Sequence, residues 1–303
     1  FVDIGAASRG QIAETLMAIE NFNPAIIGLD VQFIEQHFDA DDSFLEEVII
    51  SNDNRIIATD ATADSPQSFF YDKIPTSRRG FINLGDEMEV IRKYQVKRVF
   101  DGDILLSFPA QIVKGYNPEA FSKLMKRGNG AEYIKYPSKM FYEPYAYFQV
   151  PQIGKELTGK VVLVGDILGN SDEHFTPIHP RMKGLMIHAY SVASILDGKF
   201  IKVSNGVVQW ILAVLLILFI VSFRMYMVLS NQPMASFYTD KIQWIALFFS
   251  MYVGYLFFVK HNTYLNIHLG MLCATSIVWS NLWEFGIYIN NKVAVCNHKN
   301  VKQ

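Results

Sequence analysis

Cysteine is nearly missing from this chain. Of 303 residues only Cys273 and Cys296 carry a thiol, and residues 1–205 have none. That part of the chain therefore has no disulfide framework, no cysteine nucleophile and no zinc–thiolate site. Also missing are a Gly-x-x-x-x-Gly-Lys phosphate loop, a Gly-x-Ser-x-Gly elbow and a His-Glu-x-x-His pair. The stretch GDILGNSD, residues 165–172, has two glycines but lacks the third glycine and the following amphipathic helix of a dinucleotide fingerprint. No cofactor is expected on these grounds. Runs of Lys and Arg are absent and the formal net charge is −2, which excludes a nucleic-acid binder held by a basic stripe.

Apolar residues, by contrast, are abundant. They make up 50% of the chain against 18% charged residues, and the excess is uneven. Residues 1–205 read as an ordinary globular domain, and nearly all the long apolar runs lie after residue 206. Three segments, at about 207–229, 242–259 and 264–289, each approach the roughly 20 residues a helix needs to cross a bilayer. Trp210, Trp244, Tyr264, Trp283 and Tyr288 sit near their ends, as interfacial aromatics do. The expected organisation is an outer domain over 1–205, three transmembrane helices within 206–290, and a short tail, 291–303.

Flanking cations give the orientation. The tail carries Lys292, Lys299 and Lys302, Arg224 and Lys241 bracket the first link, and the second link has only Lys260. This bias puts the tail and the first link in the cytoplasm and residues 1–205 outside. The chain opens on FVDIG, a strand already under way, so a signal peptide or membrane helix is expected ahead of it. Within the third segment Glu284 shares a helix with Asn266, His268 and Asn281. An ionisable group there is a functional candidate, although its nearness to the cytoplasmic end favours snorkelling to the interface.

The outer region alternates strand and helix signals. FVDIG, AIIGLDVQF, RIIATDAT and KVVLVGD read as strands, the last three as continuous apolar runs. RGQIAETLMAIENF, residues 39–50 and GLMIHAYSVASILDG read as helices with apolar faces, and residues 107–128 are helical in parts. RGFINLGD and QVKRVFDGDI are less apolar and are expected to pair antiparallel. Continuous apolar strands separated by helices imply an α/β fold, a mostly parallel sheet with helices on both faces.

Open sheets of this class bind ligands at the carboxyl ends of their strands. Asp30, Asp60 and Asp166 stand at such ends, and Asp172, Thr176 and His188 follow in the loop and helix after the last strand. These six are the candidate pocket residues. Asp172 and Thr176 have short side chains suited to bonding loop amides, and His188, near the start of its helix, is expected to pack inward. A purely structural role fits the same loop. Asp172, His174 and His179 are weak candidates for a metal, since their spacing matches no strong ligand signature. Asp30, Asp166 and Asp172 together would be the carboxylates of a metal-dependent hydrolase, the least favoured reading.

Several of these stretches together resemble the CHASE2 domain, the extracytoplasmic sensory module of bacterial membrane receptors. NPAIIGLDVQF followed by DADDSFLEEVI resembles that family's early strand and helix. RRGFINLGD resembles its Gly-Phe-x-Asn strand and SFPAQIV its Ser-Phe-Ala-Leu helix start. LTGKVVLVGD, DEHFTP and KGLMIHAYSVASILDGKF resemble its most distinctive block, with a Gly-x-x-x-His-Ala helix and a Leu-x-Gly close. The resemblance spans about residues 1–290 and implies a sensor in the bacterial inner membrane followed by three membrane helices. Two departures stand out. EMEVIRKYQV replaces the family's usual Asp-Gly stretch, and the kinase or cyclase domain that usually follows is not reached in these residues. The implied function is non-catalytic: an outer sensory domain binding an unknown small molecule or protein and passing the signal to a membrane or cytoplasmic partner or within a homo-oligomer. A structural subunit of a membrane complex is the alternative.

Overall fold

The computed structural model describes residues 1–62, 65–84, 90–100, 102–137, 144–169, 172–203 and 235–264, with scattered positions between 207 and 226. The chain divides into two compact units, Phe1–Phe200 and Ile201–Gln303.

In chain order the first unit contains β1 (Val2–Asp3), α1 (Arg9–Glu20), β2 (Ile26–Asp30), α2 (Ala40–Ile50), β3 (Arg55–Thr59), β4 (Arg79–Phe81), β5 (Lys93–Gln95), β6 (Lys97–Phe100) and β7 (Asp103–Leu106). Then come α3 (Phe108–Tyr116), α4 (Pro118–Lys126), β8 (Ala131–Tyr133), β9 (Tyr145–Ala146), α5 (Val150–Leu157), β10 (Val161–Gly165), β11 (Glu173–His174), β12 (Met182–Lys183) and α6 (Gly184–Asp197). Six strands form one sheet in the order β4-β3-β2-β10-β1-β9, and every neighbouring pair in it is parallel.

The apolar strands explain why both faces are covered. Successive side chains of a strand point to opposite faces. Ile27, Leu29, Ile57, Val162 and Val164 pack on one side with residues of α1, α2 and α5. Ile26, Ile56, Ala58 and Leu163 pack on the other with residues of α3, α4 and α6. Local signals set the helix ends. Ser8 and Gln11 close a capping box on α1, Asp39 caps α2 through the Asp42 amide, and Gly198 ends α6 with φ of +63°.

One expected pairing is corrected. Residues 79–81 join the main sheet parallel to β3, with Ile57, Ala58 and Thr59 opposite Arg79, Gly80 and Phe81. QVKRVFDGDI instead folds on itself as the β6–β7 hairpin. Gly80 permits this placement: a Cβ there would lie 2.5 Å from the Phe108 Cα at the start of α3. Between β6 and β7 stands Gly102, whose φ of +80° is the positive-φ chemistry of a tight hairpin turn and favours β6 meeting β7.

The direction of α6 ties the two edges of the sheet together. Its first turn meets the carboxyl edge, where Leu185 packs against Gly165. Its last turn lies at the amino edge, where Phe1, Val161, Ala189 and Leu196 line a cavity of about 180 Å³. Fourteen residues at 1.5 Å each separate the two edges by about 21 Å. The 166–183 loop is thus close in sequence to the chain's exit from this unit but at the far end of the helix that leads there.

In the second unit a helix spans Ala235–His261, around the second apolar segment. Two short strands, β13 (Lys202–Val203) and β14 (Thr263–Tyr264), pair in parallel. Among the described residues no helix is long and apolar enough to cross a membrane. Residues 265–289 of the third segment, with Glu284, and the tail 291–303 lie outside the described residues.

Candidate functional site

The carboxyl edge of the sheet presents a row of aspartates, because β1, β2 and β3 each end at or one residue before one. The loop after each strand decides what its carboxylate does. Asp3, ending β1, accepts the Ile167 amide at 2.7 Å and the Leu168 amide at 3.2 Å. Asp166, just past β10, turns back to accept the Gly169 amide at 2.8 Å. Asp60, just past β3, accepts the Thr62 amide at 2.9 Å, the Ser65 hydroxyl at 2.6 Å and the Asn83 side-chain amide at 2.6 Å. Burial opposes the ionised form of Asp60, but the bonds from Ser65, Asn83 and Thr62 outweigh it and bring the carboxyl down to about 2. Asp60 and Asp166 organise the loops after their own strands, and Asp3 holds the loop after β10.

Asp30, ending β2, differs. Among the described residues its carboxylate accepts no hydrogen bond. Burial, then the Asp172 charge, push it up to about 7, with His174 pulling the other way. Asp172 reaches this place because the loop after β10 folds back as the β11–β12 hairpin, with Glu173 opposite Lys183 and His174 opposite Met182. Its backbone is left-handed, with φ of +57°, a conformation a few per cent of non-glycine residues adopt. The His174 Nε2 lies 2.8 Å from its Oδ1, and its backbone carbonyl accepts the Gly184 amide at 3.1 Å. Its carboxylate packs where a Cβ of residue 184 would stand. Glycine at 184 leaves the space that the Asp172 carboxylate occupies.

One turn further into α6 is His188, 3% exposed. One ring nitrogen bonds the Ile82 carbonyl, Nδ1 has no partner among the described residues, and the Phe108 ring stands edge-on at 5.5 Å. Burial, only partly offset by the Asp172 charge, lowers His188 to about 4. Burial also opposes ionised Asp172, but the bond from His174, the His174 and His188 charges and the Gly184 amide hold it below the usual carboxylate range.

The structure thus brings together Asp30, Asp172, His174 and His188. Asp60 and Asp166 are engaged elsewhere. Thr176 is buried and closes its own turn, donating to the His179 carbonyl at 2.8 Å and accepting the His179 amide at 3.0 Å. His179 is exposed, and its Nδ1 accepts the Arg181 amide at 3.1 Å. Among the described residues no group of three or more His, Cys, Asp or Glu side chains is placed to hold a metal ion. Sequence reasoning did not connect Gly184 with Asp172, nor Asp3 with the 167–168 amides. Both depend on a return of the chain across more than ten residues.

Residues 5–225 match the CHASE2 domain family. The chain belongs to this family. CHASE2 domains are extracellular sensory modules of bacterial membrane receptors, sensory rather than catalytic. No curated protein and no solved structure matches the chain.

Proposed function

We infer that this CHASE2 protein is a membrane-anchored receptor whose first unit lies outside the cytoplasmic membrane, binds a signal without catalysing a reaction, and passes it to a partner. The observation that carries this reading is the extent of the family match, which runs from the α/β unit into the first apolar segment, 207–225. Two features of the second unit support it. Trp210, Leu218, Phe219, Trp244, Phe248, Phe249 and Tyr252 are all more than half exposed, which suits lipid better than water. The β13–β14 pairing joins the start of the first apolar segment to the end of the second, as two consecutive crossings would.

In this reading α6 is the transmitting element. It runs from the Asp–His group to the short 198–206 link ahead of the first apolar segment, and a link this short transmits displacement better than a flexible one. The output comes from a membrane or cytoplasmic partner. Alkaline phosphatase fused after residue 200 should be active in intact cells and green fluorescent protein fused there dark. The reverse result would place the domain inside and overturn the reading. Native mass spectrometry from mild detergent should show the partner or a homo-oligomer. A Gly/Ser spacer after Asn205 should uncouple input from output.

A further inference from the structure

We propose that Asp30, Asp172, His174 and His188 form a proton-operated latch, in which protons taken up from outside hold the β11–β12 hairpin and the first turn of α6 onto the carboxyl edge of the sheet. The proton is then the input of the sensor. That consequence rests on the sensory reading; the latch itself does not.

Three features of the group support the latch. Asp172 is the joint between the hairpin and the helix: its carbonyl receives the first amide of α6, its carboxylate packs against Gly184, and its Oδ1 meets His174 at 2.8 Å. It holds these contacts from a left-handed backbone, φ +57°, so the joint persists only while the contacts oppose the strain. The group is also graded from solvent to core. The Asp172 side chain is 55% exposed and that of His174 13%, whereas His188 is 3% exposed and its Nδ1 has no partner among the described residues. Solvent protons therefore reach one end of a group whose other end is in the core. Finally, charges of one sign meet. The Asp30 Cβ and the Leu185 side chain in the first turn of α6 both pack against Gly165, and with Asp30 and Asp172 both ionised their like charges repel. A proton on Asp30 removes that repulsion.

The surrounding groups leave this balance in place. From the hairpin, Lys183 donates to the Gly169 carbonyl and lies 3.3 Å from Glu173, which Arg181 also approaches at 3.8 Å. The segment after β4 contributes the Ile82 carbonyl and α3 the Phe108 ring. The single charge of α3, Lys114, lies over Phe121, and in α4 Glu119 is paired with Lys123 at 2.9 Å. Asp3 and Asp166 face the 167–169 amides. Asp30 is pushed up to about 7, so its stabilising contribution is complete below the ordinary carboxylate range and is lost as pH rises through neutrality.

Amide hydrogen exchange of residues 182–188 in the full-length protein, at pH 5.5 and 8.0 and corrected for intrinsic rates, tests the latch. Protection at pH 5.5 should exceed that at pH 8.0 by about threefold, the roughly thirtyfold gain from Asp30 being offset about tenfold by protonation of His188 on opening. In Asp30→Asn the gain at pH 5.5 should be lost, His188 leaving protection higher at pH 8.0 than at pH 5.5, and protection at pH 8.0 should exceed that of wild type at the same pH by more than about a hundredfold. Equal protection of wild type at both pH values, or a full difference retained in Asp30→Asn, overturns the proposal. Should Asp30→Asn not fold, carbon-13 NMR of the wild-type aspartate carboxyls decides. One carboxyl titrating near neutrality together with the Gly184 amide supports the latch, and none titrating above pH 5.5 overturns it. Exchange reads the latch and the reporter fusions read the sensory topology, so either can fail without the other.

Discussion

Asp30 and Asp60 stand at the ends of adjacent parallel strands, on the same edge of one sheet, and their surroundings drive them in opposite directions. The cause is the loop after each strand. Asp60 is followed by Thr62 and Ser65 and faced by Asn83, all of which donate to it. Asp30 is followed by Val31, Gln32, Phe33 and Ile34, and the Phe33 amide goes instead to the Ser68 hydroxyl. A carboxylate with three donors is a rivet for its loop. One with no donor among the described residues, repelled by a second carboxylate, takes up protons instead. Position at a strand's end marks a place where a site can form, and the donors of the next loop decide whether one does.

The sharpest way to break this comparison is Asp30→Asn. Because the folded carboxyl is raised, the wild-type protein loses stability as pH climbs through about 7. The variant should be about 4 kcal/mol more stable than wild type at pH 8, about 1.5 kcal/mol at pH 5 and nearly equal only below about pH 4, read from exchange of the β2 and β10 amides. A variant no more stable at pH 8 would mean Asp30 is as well solvated as an ordinary aspartate. His188 supplies the opposite slope. Lowered to about 4 by burial, it costs the fold stability as pH falls from its ordinary range toward that value. Between about 4 and 7 the two slopes oppose each other, so the wild-type profile should be shallow. Asp30→Asn should expose an acid-side loss of about 2 kcal/mol, and adding His188→Gln should flatten it again.

Asp60→Ala should behave as rivet loss. Its carboxyl is partly exposed, so after allowance for solvent screening the expected cost at neutral pH is about 1–2 kcal/mol. The Asp60 contribution is present above the ordinary carboxylate range and fades as pH falls toward about 2, so the variant and wild type should converge in strong acid and nowhere near neutrality. Smallest is Thr176→Val, which removes the two side-chain bonds to His179. It should cost about 1 kcal/mol, seen as faster exchange at the His179 amide with α6 unaffected.

Much of the fold is legible in the residues alone. The continuous apolar runs of β2, β3 and β10 announce strands buried on both faces, and the apolar stripes of α1 and α2 announce the helices that cover one of them. The site is legible only in part. Asp30, Asp172 and His188 stand among the candidates, but Asp60 and Asp166 have equal claims by position. His174, a weak metal ligand by its spacing, proves to be the partner of Asp172. The β4 pairing escapes a reading of the sequence because Arg79–Phe81 is short and little alternated. Its partner is chosen by the close approach of Gly80 to Phe108, far along the chain.

What the sequence by itself determined is the strand and helix periodicity, the parallel sheet covered on both faces, and the apolar character of the C-terminal third, since these arise from local patterns of burial. Which aspartate has no donor among the described residues, what packs beside the glycine that opens α6, and how far the loop stands from the chain's exit were decided only by the tertiary structure. Each depends on groups far apart in sequence meeting at one edge of the sheet, and the electrostatics of a carboxylate is set by what surrounds it in space.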